Sequence, residues 1–319
     1  MWRFTRQGVT GSSIRVRPLS WSLEQRPEIG QAASMPDSAR QFDHAILPVE
    51  SLIATRALHE ALGFTVAPDA LHPFGTSNAC VFFGDGTYLE PLAVDDAAKC
   101  ARTAQKGNQF TARDQAFRFR NGDEGFSAIA LKSVNADADH KAFQRAGISA
   151  GRKLMFGRTF ETPNGEKERA SFKLAFAADL RAPDFLGFRV QRMKMPAASS
   201  SGLTEHANGV TGIAEIIASE TNPSDFSDFL QALTGQTVDI AQSSEVTVDL
   251  GNVTVRVLTP DMLRDTFGVQ ATDMGRGLRL EGIVFNTPKP VPNSRKIGRY
   301  EIVDRAPGQG AFYAFMNGQ

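Results

Sequence analysis

Only two cysteines, Cys80 and Cys100, occur in the 319 residues. That excludes a disulfide-dense secreted scaffold, and no CxxC pair is present for a zinc ribbon or a dithiol redox centre. One bridge is not needed to staple a chain of this size, so a reducing, cytoplasmic compartment is the expectation. An excess of one charge is also lacking. Lys+Arg and Asp+Glu both number 35, which leaves no basic footprint for nucleic acid or an anionic membrane surface. No apolar run approaches the ~20 residues of a membrane-spanning helix. No P-loop, dinucleotide glycine fingerprint or Ser-His-Asp order appears, and Gly84 and Gly86 belong to a turn. Among the aromatics, 3 Tyr and 2 Trp stand against 23 Phe, a composition that suits an apolar cavity as well as an ordinary core.

Residues 1–39 are set aside as an N-terminal extension. They carry no periodic apolar pattern, and Arg3, Arg6, Arg15 and Arg17 precede the first acid, Glu24. An Arg-rich, Ser-containing, acid-poor start suits a transit peptide. The alternative is a start at Met35, with a gene-start artefact or disordered tail before it.

Beyond the extension a pattern of strand, helix, glycine stop and hairpin strands repeats. Residues 42–49 (FDHAILPV) read as a strand, Ser51 caps a helix running to about Leu62, and Gly63 ends it. Ala79–Phe83 and Thr87–Val94 form a hairpin across Gly84-Asp85-Gly86. The pattern returns at Phe126, with a helix at Asp137–Ala146 and strands at Lys153–Phe160, Ala170–Ala177 and Phe185–Met193. Pro163-Asn164-Gly165 turns the first of these into the second. A third copy starts at Val210, with a helix at Ser224–Leu233 and a hairpin at Val246–Leu258. A fourth, without its helix, spans Leu278 to Met316. Units of this size cannot each close a core, so they should pair. The expected class is α+β, with βαβββ units forming curved mixed sheets in two cups. Residues 40–194 form the first cup, 195–207 an Ala/Ser-rich linker and 208–317 the second.

The first unit carries the chemistry. His44 and Glu90 lie on two apolar strands, which seldom hold such groups unless they are paired, hydrogen-bonded or bound to metal. Together they can supply half of an octahedral site with positions open for substrate. Strand alternation sends Asp43 to the face opposite His44 and puts Tyr88 on the same side as Glu90. His72 and Asn78, in LHPFGTSN, are candidates to hold substrate oxygens, against a turn-stabilising role. Arg158 and Arg169 can clamp a carboxylate or phosphate, or simply line a solvated strand. His59 and His140, on helices, are expected at the surface, and His206 in a turn-capping role.

The D-H on the first strand, ALGF after the helix and FGDGTYLEPLAV at the hairpin resemble the vicinal oxygen chelate superfamily, in particular its glyoxalase-like proteins. The resemblance is clearest over residues 42–94. It implies inward-facing metal ligands from the first and last strands of paired units, here His44 and Glu90. The second unit departs, with Ser127-Ala128 at the histidine position and Gln191 as a third candidate ligand. The third unit offers Ala214 and Val255, so the second cup is expected to be degenerate. The resemblance implies a divalent ion (Mn²⁺, Fe²⁺, Zn²⁺ or Mg²⁺) and a small oxygen-bearing metabolite or xenobiotic as substrate, turned over by a lyase, isomerase or dioxygenase. The alternative is a metal-free small-molecule-binding protein of the same fold. The partners expected are that small molecule and, as a candidate, a second copy in a homodimer.

Overall fold

The computed structural model describes residues 41–161, 167–194, 202–273, 275 and 277–316. The N-terminal extension, the Pro163-Asn164-Gly165 turn and most of the expected linker lie outside the described residues. The first half runs β1 (Phe42–Pro48), α1 (Leu52–Ala61), β2 (Ala70–Leu71), β3 (Thr76–Asn78), β4 (Val81–Phe82), β5 (Tyr88–Val94), α2 (Ala97–Gln105), α3 (Gln109–Asn121), β6 (Ala128–Ser133), α4 (Ala136–Arg145), β7 (Leu154–Glu161), β8 (Lys167–Ala177) and β9 (Leu186–Lys194). The second half runs β10 (Gly212–Ser219), a short 3-10 turn (Pro223–Phe226), α5 (Ser227–Thr234), β11 (Val238–Gln242), β12 (Glu245–Asp249), β13 (Thr254–Leu258), α6 (Pro260–Phe267), β14 (Arg279–Asn286), β15 (Arg295–Ile297), β16 (Tyr300–Val303) and β17 (Phe312–Met316).

The class is α+β, with two curved mixed sheets of the same topology. The first is ordered β2-β3-β5-β1-β6-β9-β8-β7, with β4 also on β5, and the second β11-β12-β13-β10-β14-β17-β16-β15. In each, the opening strand sits centrally, parallel to one neighbour and antiparallel to the other: β1 between β5 and β6, β10 between β13 and β14. The expected helix after β1 forms because Ser51 accepts a hydrogen bond from the Ala54 amide, and Gly63 takes φ +84° just beyond its end.

Strand alternation sorts side chains into three cores. One is shared by the two sheets and joins Ala45 and Leu47 of β1 to Ile213 and Ile216 of β10, with Phe143, Leu230 and Leu233 from the helices. The other two line the inner faces, one per cup: Ile46, Leu92, Phe172 and Phe188 in the first, Ile217, Leu258, Phe267 and Tyr300 in the second. The shared core is tight at Gly187, where a Cβ would meet Leu233 Cδ2 of α5 at 2.5 Å. His59 is a correction to the sequence reading. It is fully buried there, its ring bonded to the Thr55 carbonyl and to Tyr313 Oη at 2.9 Å. The side of α1 that carries His59 instead packs on Tyr313 of the second sheet. Helices α2, α3 and α6 were not foreseen. From α3, Phe110 enters the inner core of the first cup.

Candidate active site

The site begins with an irregularity in β1. Phe42 pairs with Leu131 and His44 with Ala130, so one extra residue, Asp43, is inserted against β6. A bulge of this kind re-aims side chains. Strict alternation would turn Asp43 away from His44. Instead Asp43 is fully buried, its Oδ1 2.6 Å from His44 Nδ1, and Arg192 of β9 donates to both its oxygens. The expectation that Asp43 points to the face opposite His44 is therefore corrected, and the bulge is the reason.

On β5 the period of two puts Tyr88, Glu90 and Leu92 on the inner face. His44 stands opposite Tyr88 in the register, and the two rings stack with centroids 4.3 Å apart. His44 Nε2 lies 3.3 Å from one Glu90 oxygen. His72 Nε2 lies 3.5 Å from the other, which also accepts from Asn78 Nδ2 at 2.7 Å. The LHPFGTSN loop achieves this by folding back on itself. His72 Nδ1 bonds Thr76 Oγ1 at 2.9 Å, and its ring stacks on Phe74. Gly75 takes φ +103° where a Cβ would meet the Asp96 carbonyl at 2.7 Å, so only glycine allows the turn. Arg158 of β7 reaches Asn78 Oδ1 at 3.4 Å. These groups border a cavity of about 40 Å³ walled by Phe74, Phe110, Phe156, Phe172 and Phe188.

Burial and pairing oppose one another here. Burial alone would raise the Glu90 carboxyl, but the His44 hydrogen bond, the charges of His72 and His44, and Asn78 bring it down to about 2. Burial would lower His44, yet its contacts with Asp43 and Glu90 leave it raised above its ordinary value. His72 goes the other way, lowered to about 4 mainly by burial, so its ring is neutral near pH 7.

Of the residues expected from the sequence, His44, Glu90, His72, Asn78, Tyr88 and Arg158 come together. Gln191 does not. Its neighbours Val190 and Phe188 lie on the inner side of β9 or pack with it, while Gln191 Oε1 accepts from the Ala136 amide at the start of α4, at 3.0 Å. It is a helix cap, and the expected ligand role is corrected. Arg192 and Asp43 were missed; the adjacent Asp-His pair at a strand start was their signal. His206 accepts from the Thr65 amide and donates to the Phe82 carbonyl, tying a turn to the β4 hairpin.

The second cup repeats the bulge, with Ile213 opposite Phe285 and Glu215 opposite Val284. Ile217 faces Arg256 as Ile46 faces Glu90. Glu215 and Arg256, not Ala214 and Val255, therefore occupy the His44 and Glu90 positions, one residue on from the expectation, since the shared bulge keeps the two halves in step. They form a 3.0 Å ion pair, extended by Glu245 and Arg299. The His and Glu pair of the first cup is thus replaced by a salt bridge.

Among the described residues, no three His, Cys, Asp or Glu side chains are gathered into a ready metal-ligand group. The donor chemistry beside the cavity does fit a divalent ion. Two imidazole Nε2 atoms flank one carboxylate, and both Nδ1 atoms are held by other groups, as Nε2 ligation requires. Their 3.3 and 3.5 Å separations from Glu90 exceed the ~2.7–2.9 Å of a closed charge-assisted hydrogen bond.

This inward-facing His and Glu pair stands on the first of two curved sheets of the same topology, in an α+β chain. Residues 42–234 match the family described as Glyoxalase-like domain, and the chain belongs to that family. A comparison with curated proteins finds no match. Among solved structures, a hypothetical protein from Staphylococcus aureus shares 14% identity at a TM-score of 0.64, with 86% of this chain and 98% of that one covered. A mutant of 4-hydroxymandelate synthase from Streptomyces coelicolor shares 11% identity at a TM-score of 0.54, covering 88% and 93%. At these identities the likeness is one of fold.

Proposed function

We propose that this protein is a glyoxalase-like, divalent-metal-dependent enzyme acting on a small oxygen-bearing molecule in the first cup. The observation that carries the reading is Glu90 flanked by two histidines whose Nδ1 atoms are both occupied, by Asp43 and by Thr76. His44 and Glu90 would hold the ion, with His72 in the place the sequence assigned to Gln191. Mn²⁺, Fe²⁺, Zn²⁺ and Mg²⁺ are the candidates. A bound ion supplies Lewis-acid polarisation of substrate oxygens or an acidified water. Asn78 fixes the Glu90 carboxylate, Tyr88 backs the His44 ring, and the phenylalanine walls keep bulk water from the polar floor. Arg158 faces the substrate's side of the cavity.

Metal analysis of the purified chain, as isolated and after incubation with each ion, tests this. About one tightly held ion per chain is expected, lost in His44→Ala and kept in Gln191→Ala. No metal under any condition sinks the reading. A second reading, a metal-free binding protein, draws support from Glu90 being already satisfied by Asn78 at 2.7 Å. A binder keeps its ligand affinity when His44 and Glu90 are both replaced by alanine, whereas an enzyme loses metal and turnover together.

A further inference from the structure

Arg158 places a permanent positive charge on the wall of a small space lined by five phenylalanines and by His44, His72, Tyr88 and Glu90. The cavity measures about 40 Å³, room for a few water-sized groups, so its occupant has only a handful of heavy atoms. The guanidinium leans on Asn78 Oδ1 at 3.4 Å and lies over the Phe172 ring with its carbon 5.9 Å from the centroid. The amide of Asn78 is thereby oriented, its nitrogen toward Glu90 and its oxygen toward Arg158. Asp43 and Glu90 face Arg158 and Arg192, and Asp43 is bound directly by Arg192. A divalent ion would add two positive charges between apolar walls, where charge interacts more strongly than in water. A neutral substrate would leave them uncompensated.

We propose that the first-cup cavity selects a small carboxylate, with Arg158 meeting the anionic group and a neighbouring oxygen of the same molecule lying toward His44 and Glu90. Guanidinium suits this task because its planar fork matches a carboxylate and holds its charge at every accessible pH. The placement of the second oxygen rests on the function proposed above; the charge selection rests on Arg158, to which a bound ion would add.

Pyruvate and hydroxyacetone separate these elements, since they have similar size and the same two neighbouring oxygen functions but differ in charge. Their binding to the full chain, freed of metal by chelation and dialysis, is measured by titration calorimetry or ligand-observed NMR. Pyruvate is expected to bind at least tenfold more tightly. Arg158→Gln is expected to erase that preference with the melting temperature retained, and Arg158→Lys to keep part of it. Should Arg158→Gln not fold, Arg158→Lys decides the matter through a several-fold loss for pyruvate alone. Equal binding of the two probes, no binding of pyruvate, or a preference that survives loss of the guanidinium overturns the proposal. Metal content measured on the same protein before chelation keeps the two ideas apart. A metal-free protein that prefers pyruvate supports the charge selection while sinking the metal reading, and a metal-holding protein indifferent to charge does the reverse.

Discussion

Replacing Glu90 by alanine perturbs the most heavily coupled group in the molecule. A buried carboxyl held at about 2 instead of its ordinary 4.5 is stabilised as the anion by about 3 kcal/mol. Removing it leaves His44 and Asn78 facing an empty apolar space, and breaking one side of a buried pair costs about 3–5 kcal/mol. For a unit of this size that is a fall in melting temperature of roughly 6–12 °C. The pH dependence carries a second signature. Glu90 binds protons less readily when folded, so its share of stability is present above about pH 4.5 and lost as pH falls toward 2. His44 is shifted the opposite way. Its share is present below its ordinary 6.5 and lost as pH rises through its raised folded value. The variant should therefore differ from the parent most between those limits, and the two should converge on either side. Urea unfolding of chelator-treated protein across pH 3–9 measures this without linkage to bound metal. A loss below about 1 kcal/mol, or a difference independent of pH, would refute the view of Glu90 as an ionised partner of His44.

Three further outcomes follow from the geometry. Gln191→Ala should cost about 1 kcal/mol by releasing the Ala136 amide, with metal uptake unchanged; altered uptake would restore Gln191 as a ligand. Gly187→Ala forces a methyl to within 2.5 Å of Leu233, and calorimetry should show a loss of about 1–3 kcal/mol. In the second cup, Arg256→Ala strands Glu215 and Glu245 and should cost about 3–5 kcal/mol. Replacing Glu215, Glu245 and Arg256 together with apolar residues of similar volume should cost much less; equal losses would show that the network is worth more than its desolvation.

The strands, the Ser51 cap, the Asp85-Gly86 turn and the repeat were legible because each leaves a local signature. Which face of a strand looks into the cup was not. In β9 both faces are covered, Phe188 and Val190 by the inner core, Arg189 by Asp139 and the Leu233 carbonyl. Alternation separates Arg189 and Gln191 from Phe188 and Val190, but with both faces packed it carries no label for which one looks into the cup. Gln191 was misplaced for that reason. Asp43 was misread because a bulge changes the count by one, and nothing in Phe42-Asp43-His44 announces an inserted residue; the Glu215–Arg256 pair was missed because only the strand register fixes how the two halves align. Helix α3, with Arg118 and Arg120 on a 13-residue stretch, shows too little apolar periodicity to stand out. Its role of covering the first cup falls to Phe110 and Phe117.

The paired bulges in β1 and β10 have a bearing on how this architecture acquires chemistry. A bulge gives up regular ladder pairing, yet it stands at the same register in both halves. Each half thus offers a fixed seat for two adjacent inward side chains and, across the parallel strand, a third. One seat is taken by Asp43, His44 and Glu90, the other by Ala214, Glu215 and Arg256. The backbone is a socket common to both, and reactivity is decided by what is plugged into it. Carrying the Asp43, His44 and Glu90 side chains into the second half takes three substitutions, and no strand has to move to admit them.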